Sequence, residues 1–363
     1  MAASSNKIIE LKSPIFALFI IDDILIVSSG GGNTKFGLKN KLLSFKVSNN
    51  GITQQIHEED MGNDIATSIC GLPLKKIFCI SVANYTKFYT VSSNGKFNSI
   101  HTLQTLNESN EDLFQTACSL TTTHLGIGTS NGIIKVYNVK FQNNEISSID
   151  LLKENKNAHI RNINNMIIIP NKKLLLTVSG DGSCKMFELT TIQLLKKVSF
   201  RMNIQENSNY FMRDLAYDKY SNVIYTLQSP LRGKSFITKW NVYKNLEPIE
   251  TVEVSNVVCS SMTYSEDMGV LGVTDSEGGV LYVDAGKNMK VIKRLSIGEN
   301  MIKCGGFYRG KFVSGSVDNF IRLNNAYEGS CCSFSTIVFL ILICLFGYRV
   351  YDVYMKDKVE KSY

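Results

Sequence analysis

The sequence predicts an all-β protein, a seven-bladed WD-type β-propeller followed by a single C-terminal transmembrane helix. Three observations predict this class. A β-rich pattern recurs along the chain, no helical period competes with it in residues 1–328, and an uncharged apolar run lies near the C-terminus. We therefore expect a propeller domain over residues 1–328, a membrane helix over residues 329–350 and a short tail over residues 351–363.

The recurring pattern is an apolar strand, a turn of Ser, Gly, Asp or Asn, and a second strand with alternating apolar residues. Gly and Asn accept the positive φ that tight hairpin turns require. After the first copy, the copies follow one another at about 40–50 residues, the period of a WD-type blade. One such sheet cannot bury both faces, whereas stacked blades can. The seven copies are IVSSGGGNTKFGLKNKLLSFKV from Ile26, YTVSSNGKFNSIHTL from Tyr89, GIGTSNGIIKVYNV from Gly126, TVSGDGSCKMFEL from Thr177, TLQSPLRGKSFITKWNV from Thr226, GVTDSEGGVLYVD from Gly272 and VSGSVDNFIRLNN from Val313.

The copies are degenerate. The WD dipeptide is missing, and Val136-Tyr137-Asn138 and Trp240-Asn241 take its place. His159 precedes IRNINNMIIIP, which resembles the outer strand of a blade, and we interpret it as a structural or surface histidine.

Composition argues against several functions. The net charge of +7 is scattered, without the basic block expected of a nucleic-acid-binding protein. The nine cysteines are widely separated in the sequence, except for the adjacent Cys331 and Cys332, and none has the spacing of a zinc site. Scattered thiols of this kind fit a reducing compartment. The four histidines belong to no acid–base motif, so we expect no covalent catalysis and no small-molecule substrate.

The membrane helix is predicted from about 18 uncharged residues, Cys331 to Tyr348, which are apolar all round. Tyr348, Tyr351 and Tyr354 are candidate interfacial anchors. Counted alone, the basic residues of the tail favour a cytosolic tail. No upstream signal would export the large preceding domain, however, so we expect that domain in the cytosol and the tail in the lumen.

One hairpin is unusual. Between the strand ending at Val27 and the strand from Leu42 to Val47 lies a glycine-rich loop, residues 28–41, far longer than a hairpin needs. A P-loop would require a lysine followed by Ser or Thr and then a helix, which this loop lacks. The residues leave two interpretations open: a cation site built from backbone carbonyls, or an ordinary glycine turn.

The residues Gly30-Gly31-Gly32, Lys35, Gly37, Lys39 and Asn40 resemble the GGGG-x-x-K-x-G-x-x-N loop of the prolactin regulatory element-binding protein family. Fungal and plant members are the endoplasmic-reticulum exchange factors that initiate COPII coat assembly. The resemblance covers the whole chain: a degenerate propeller, this loop in the first blade, and a C-terminal anchor. Ser29 departs from it, because a fourth glycine is usual there.

The resemblance implies a guanine nucleotide exchange factor for a Sar-family GTPase, anchored in the endoplasmic-reticulum membrane. It implies potassium bound by backbone carbonyls of Gly30, Gly31 and Gly32. The similar adjoining segment would contribute Asn63, Asp64 and Ala66; an ordinary blade turn is the alternative for this segment. The implied GTPase-contacting loop comprises Gly30, Gly31, Gly32, Asn33, Thr34, Lys35, Phe36, Gly37, Leu38, Lys39 and Asn40, with Phe36 and Leu38 as apolar contacts and Lys35 and Asn40 as polar ones.

The competing interpretation is a membrane-tethered scaffold that binds proteins without exchange activity, because a fold does not determine a function.

Overall fold

The structure is a computed structural model that describes residues 8–32, 37–107, 113–143, 145–200, 210–286 and 288–326, without the side chain of Gln54. The chain divides into two compact units, residues 1–324 and 325–363. The described residues form seven antiparallel sheets of four strands each, so the predicted all-β propeller of seven blades is confirmed.

The strands follow the chain from blade to blade. The first blade contains β2 (Ile15–Ile21), β3 (Ile24–Ser29), β4 (Asn40–Ser48) and β5 (Gly51–Gly62). The second contains β6 (Ala66–Leu72), β7 (Ile77–Val82), β8 (Tyr85–Val91) and β9 (Phe97–Gln104). The third contains β10 (Gln115–Leu120), β11 (His124–Thr129), β12 (Ile134–Gln142) and β13 (Glu145–Asn155). The fourth contains β14 (Ile163–Ile169), β15 (Leu174–Ser179), β16 (Ser183–Glu188) and β17 (Leu194–Ser199).

The remaining blades continue the same order. The fifth contains β18 (Phe211–Asp218), β19 (Val223–Ser229), β20 (Ser235–Asn241) and β21 (Glu247–Ser255). The sixth contains β22 (Cys259–Ser265), β23 (Val270–Asp275), β24 (Gly279–Asp284) and β25 (Val291–Ser296). The seventh contains β26 (Ile302–Tyr308), β27 (Lys311–Ser316), β28 (Phe320–Asn325) and β1 (Ile8–Glu10). Short 3-10 turns at Pro73–Lys75 and Pro170–Lys172 precede β7 and β15.

The ring is closed by the two ends of the propeller. The N-terminal strand β1 pairs antiparallel with β28, with Ile9 opposite Ile321, and becomes the fourth strand of the seventh blade. The Leu11 N–H continues this contact by donating to the carbonyl of Asn319. The N-terminal segment is thereby hydrogen-bonded into the last blade before the chain continues into the first.

The hydrophobic core is a series of layers between neighbouring blades. The layer between the first two blades contains Ile26, Phe78 and Tyr89, with the Phe78 and Tyr89 rings stacked at 4.9 Å. Between the sixth and seventh blades, Tyr282 meets Phe312 edge to face at 6.0 Å. Each blade therefore depends on its neighbours for burial, as the repeat predicted.

A cavity of about 640 Å³ runs through the centre and is lined by residues of all seven innermost strands. Each innermost strand carries a register shift of one residue at its start, as in a β-bulge. At each shift one residue of the innermost strand has no partner in the pairing register. In four blades the side chain of this residue donates to a backbone carbonyl of the innermost strand of the next blade: Thr67 to Gln115 (2.8 Å), Thr116 to Ile163 (2.7 Å), Asn164 to Met212 (2.6 Å) and Ser260 to Ile302 (2.5 Å).

His159 is structural, as predicted, and it is buried rather than on the surface. Its Nδ1 lies 2.9 Å from Oδ2 of Asp181, and its Nε2 lies 2.8 Å from Oγ1 of Thr177. Burial lowers the pKa of His159, which favours the neutral ring. The apolar run after it was wrongly matched to an outer strand, because Ile163–Ile169 is β14, the innermost strand of its blade.

One of the seven repeat copies was also misplaced. Six copies span the hairpin between the second and third strands of a blade, but the copy from Tyr89 spans β8 and β9, the third and fourth. The equivalent hairpin of the second blade is β7–β8, whose turn at residues 83–84 is Ala-Asn and lacks glycine.

Among the described residues, no helix is long and apolar enough to cross a membrane. The predicted span at residues 329–350 and the tail at residues 351–363 lie outside the described residues.

Candidate functional site

The glycine-rich loop lies on one face of the ring together with the adjoining segment. Because neighbouring strands are antiparallel, connections from second to third strand and from fourth strand to the next blade emerge on the same face. We call this the upper face. It carries the β3–β4 loop and the β5–β6 connection, whereas the connection containing Leu74, between β6 and β7, lies on the lower face.

The loop is shorter at both ends than predicted. Strand β3 continues through Ser29 and β4 begins at Asn40, so the connection is residues 30–39 rather than 28–41. It still exceeds the corresponding connections at residues 83–84 and 130–133 in the next two blades. Asn33, Thr34, Lys35 and Phe36 lie outside the described residues.

Asn40 holds the base of the loop together. Its side chain is fully buried. Oδ1 accepts a hydrogen bond from the Gly32 N–H at 3.0 Å, and Nδ2 donates to the carbonyls of Gly32 at 2.6 Å and Gly62 at 3.1 Å. This amide was expected to supply a polar contact to a partner, but its geometry shows that it fixes the loop instead.

Two of the glycines are required by this geometry. A Cβ at Gly30 would overlap Oδ1 of Asn40, so any side chain there would displace the amide. Gly32 has φ +78, in the left-handed region that residues with a Cβ rarely adopt. The glycine run therefore allows the backbone to turn closely around Asn40.

The described residues after the gap are exposed. Gly37, Leu38 and Lys39 all face solvent, and Leu38 is 37% exposed. A Cβ at Gly31 would lie 2.7 Å from Cβ of Leu38, so the two arms of the loop touch. Leu38 is consequently an apolar side chain presented by a braced backbone.

The adjoining segment meets the loop through Asn40. The Gly62 carbonyl that accepts from Nδ2 immediately precedes Asn63 and Asp64. Asn63 is exposed and Asp64 is half-buried, and burial raises the pKa of the Asp64 carboxyl. Ala66 differs from the prediction, because its side chain is buried in the core between the first two blades and is not available to a partner.

A cavity of about 560 Å³ lies beside the loop, where the N-terminal segment meets the first blade. It is lined by residues 10–13, by residues 37–39 and by Lys41, Gln55 and Glu58. Nζ of Lys41 lies 2.5 Å from Oε1 of Glu58. Hydrogen bonds from Lys41 and then from Gln55 lower the pKa of Glu58.

This cavity was not predicted from the sequence. Its walls come from β1, from the segment that leads into β2, and from β4 and β5. The pairing of β2 with β3 places Oγ of Ser13 2.7 Å from Oγ of Ser29, and the pairing of β1 with β28 fixes Glu10. The alternating pattern within a strand gives no information on these contacts.

Among solved structures, the chain is similar to a chain in the crystal structure of the mitotic checkpoint complex. The TM-score is 0.68 over 89% of this chain and 91% of that chain, at 11% sequence identity. The fold is a seven-bladed WD-type β-propeller. In all, 1635 chains of solved structures match, so the fold is widely shared and does not select one function. No family model and no curated protein sequence matches this chain.

Proposed function

We propose that this chain is a guanine nucleotide exchange factor. It promotes GDP release and GTP loading on a Sar-type small GTPase at the endoplasmic reticulum and so starts COPII coat assembly. One observation carries the proposal. The longest of the second-to-third strand connections compared above rises from the upper face, presents exposed Leu38 and is fixed at its base by buried Asn40.

A braced loop suits nucleotide exchange. An exchange factor binds the nucleotide-free GTPase more tightly than the GDP-bound one, and by reciprocity it weakens GDP binding by the same factor. A loop whose base is already fixed loses less conformational entropy on binding, so more of the contact energy acts on that equilibrium. Leu38 supplies the apolar contact and Asn63 an exposed polar one beside it.

Potassium is part of the proposal. The carbonyls of Gly30, Gly31 and Gly32 are uncharged oxygen donors, the ligand type that an alkali cation prefers, and they lie on consecutive residues. The Gly32 carbonyl already accepts a hydrogen bond from Asn40, so it would use its second lone pair for the ion.

The proposed location is the endoplasmic-reticulum membrane, with residues 329–350 as a single span and the propeller in the cytosol. An anchored exchange factor produces the activated GTPase next to the bilayer, where an amphipathic helix of the GTPase can insert. The chemistry is binding alone, without a covalent step.

GDP release tests the proposal directly. The full chain in liposomes should accelerate release of a fluorescent GDP analogue from a Sar-type GTPase. The variant Leu38→Asp should reduce the acceleration by about tenfold or more, because it replaces the apolar contact with a carboxylate that the interface would have to bury without a partner. Potassium should support a faster rate than sodium.

Leu74→Asp is the matched control, since Leu74 is an equally apolar, fully exposed residue on the lower face. It should retain the wild-type rate. A chain that binds the GTPase without accelerating release would instead be a membrane-tethered scaffold. Equal rates for Leu38→Asp and the wild type would remove the loop from the mechanism.

A further inference from the structure

Three cysteines that are far apart in the sequence meet inside the propeller. They are Cys70 in β6, Cys79 in β7 and Cys118 in β10. Their Sγ atoms all lie within 4.8 Å of one another, and those of Cys70 and Cys79 are 3.4 Å apart. Among the described residues this is the one group of three or more metal-ligating side chains at such distances.

The strand register brings the thiols together. Cys70 lies directly opposite Cys79 in the antiparallel pair of the second blade. Cys118 reaches them from the innermost strand of the third blade. Ser68, two residues before Cys70 on the same strand, places its Oγ 3.3 Å from Sγ of Cys118. Two blades therefore contribute to one site, and for this reason the spacing of the cysteines in the sequence does not indicate it.

The site borders the central cavity. Cys70 and Cys118 line the central cavity of about 640 Å³, while Cys79 is fully buried behind them. Cys70 is only partly buried. An ion would thus enter past the two strands that carry Cys70 and Cys118, with Cys79 completing the set from the protein interior.

The thiols also act on one another electrostatically. The hydrogen bonds from Cys70 and then from Cys79 lower the pKa of Cys118. The same contacts raise the pKa of Cys70, and burial raises that of Cys79. Three thiols this close to one another cannot all ionise unless a positive charge lies among the sulfurs.

We propose that Cys70, Cys79 and Cys118 form a binding site for a monovalent soft metal ion, Cu(I). Thiolate ligands select soft ions such as Cu(I) and Zn²⁺. Structural zinc sites almost always use four protein ligands, whereas this cluster offers three sulfurs. Each thiol that binds the ion forms an S–Cu bond and releases its proton to solvent, without any change of oxidation state.

Anaerobic competition against bicinchoninate, a chromophoric Cu(I) chelator, tests the proposal. The full chain would carry alanine at Cys331, Cys332 and Cys344, so that these thiols do not contribute. It should remove one equivalent of Cu(I) from the chelator and gain a thiolate-to-copper absorption band in the near ultraviolet. Cys118→Ser and Cys79→Ala should each weaken retention by at least about 100-fold, since even changes outside the ligand shell cost 10–100-fold.

Cys304→Ala is the matched control, because Cys304 is a half-buried thiol on the same cavity wall but outside the cluster. It should bind Cu(I) like the parent. Near-ultraviolet circular dichroism would confirm that each variant is folded, and the conservative serine variant guards against a packing defect. Equal binding by Cys118→Ser and Cys304→Ala, no competition by the parent, or preference for Zn²⁺ over Cu(I) would overturn the proposal.

Discussion

At the scale of single residues, Asn40 shows how one amide can organise a loop. It accepts from one glycine N–H and donates to two glycine carbonyls, entirely within the protein. Asn40→Asp keeps the shape and the acceptor but replaces the NH₂ donor by an oxygen that faces two carbonyls. We expect a loss of about 3 kcal/mol in the free energy of unfolding, because buried partners lose their hydrogen bonds. Urea denaturation would measure it.

Lys39→Ala provides the comparison for Asn40→Asp. Lys39 is the exposed neighbour, and exposed substitutions usually change stability by less than about 0.5 kcal/mol. In the exchange assay Asn40→Asp should also slow GDP release, because the loop is no longer braced. Wild-type stability of Asn40→Asp would mean that the amide does not hold the loop.

The buried carboxyl of Asp214 leads to a second prediction at this scale, on how the stability of the fold depends on pH. Its carboxyl lies in the wall of the central cavity and accepts hydrogen bonds from Nδ2 of Asn165, the Leu215 N–H and the Met262 N–H. Burial outweighs these donors and raises its pKa to about 6 from 3.8. The folded protein therefore holds this proton more tightly than the unfolded chain does.

The resulting stabilisation is fully present below about pH 4 and is lost as the pH rises through 6. Relative to Asp214→Asn, whose side chain does not titrate, the wild type should lose about 2 kcal/mol of stability between pH 4 and pH 7. Denaturation of both proteins across this range measures the difference. A difference that stays constant with pH would contradict the raised pKa.

At the scale of elements, the N-terminal strand β1 closes the ring. Ile9 and Leu11 pack against the core between the seventh and first blades, and β1 covers the edge of β28. Removing residues 1–11 should lower the midpoint of thermal unfolding by about 4–8 °C, the effect of losing two partly buried side chains. The uncovered edge should also promote aggregation.

Removing residues 1–7 alone is the control for this truncation, since β1 begins at Ile8. Its midpoint should stay within about 2 °C of the full chain. Differential scanning calorimetry compares the three proteins. Equal midpoints for the two truncations would show that closure does not depend on β1.

The blade repeat was predictable because its signal is local. Glycine and asparagine turns between alternating strands mark a hairpin without reference to the rest of the chain. The second blade shows the limit of that signal. Its central hairpin turns at Ala83-Asn84 without glycine, so the glycine turn of the following hairpin was taken for it.

At the scale of the whole molecule, the unpredicted features are those that contacts between segments distant in the sequence create. The cavity beside the glycine loop needs residues 10–13 to meet β4 and β5, and the thiol cluster needs the second and third blades to pack. Periodicity identifies faces of a strand, but it does not say which residue of the next blade lies opposite. A long connection between β3 and β4 was predicted with wider bounds, whereas the inward role of Asn40 depends on its contacts with Gly32 and Gly62, which the alternating pattern does not give.

Membrane topology makes the last prediction, because the proposed partner is a cytosolic GTPase. The proposed topology places the propeller in the cytosol, residues 329–350 in the bilayer and residues 351–363 in the lumen. In sealed endoplasmic-reticulum vesicles, added protease should therefore degrade the propeller and leave a C-terminal epitope tag protected. Detergent should expose the tag as well. A propeller that resists protease until the vesicles are opened would lie in the lumen, where its upper face and Leu38 could not meet the GTPase.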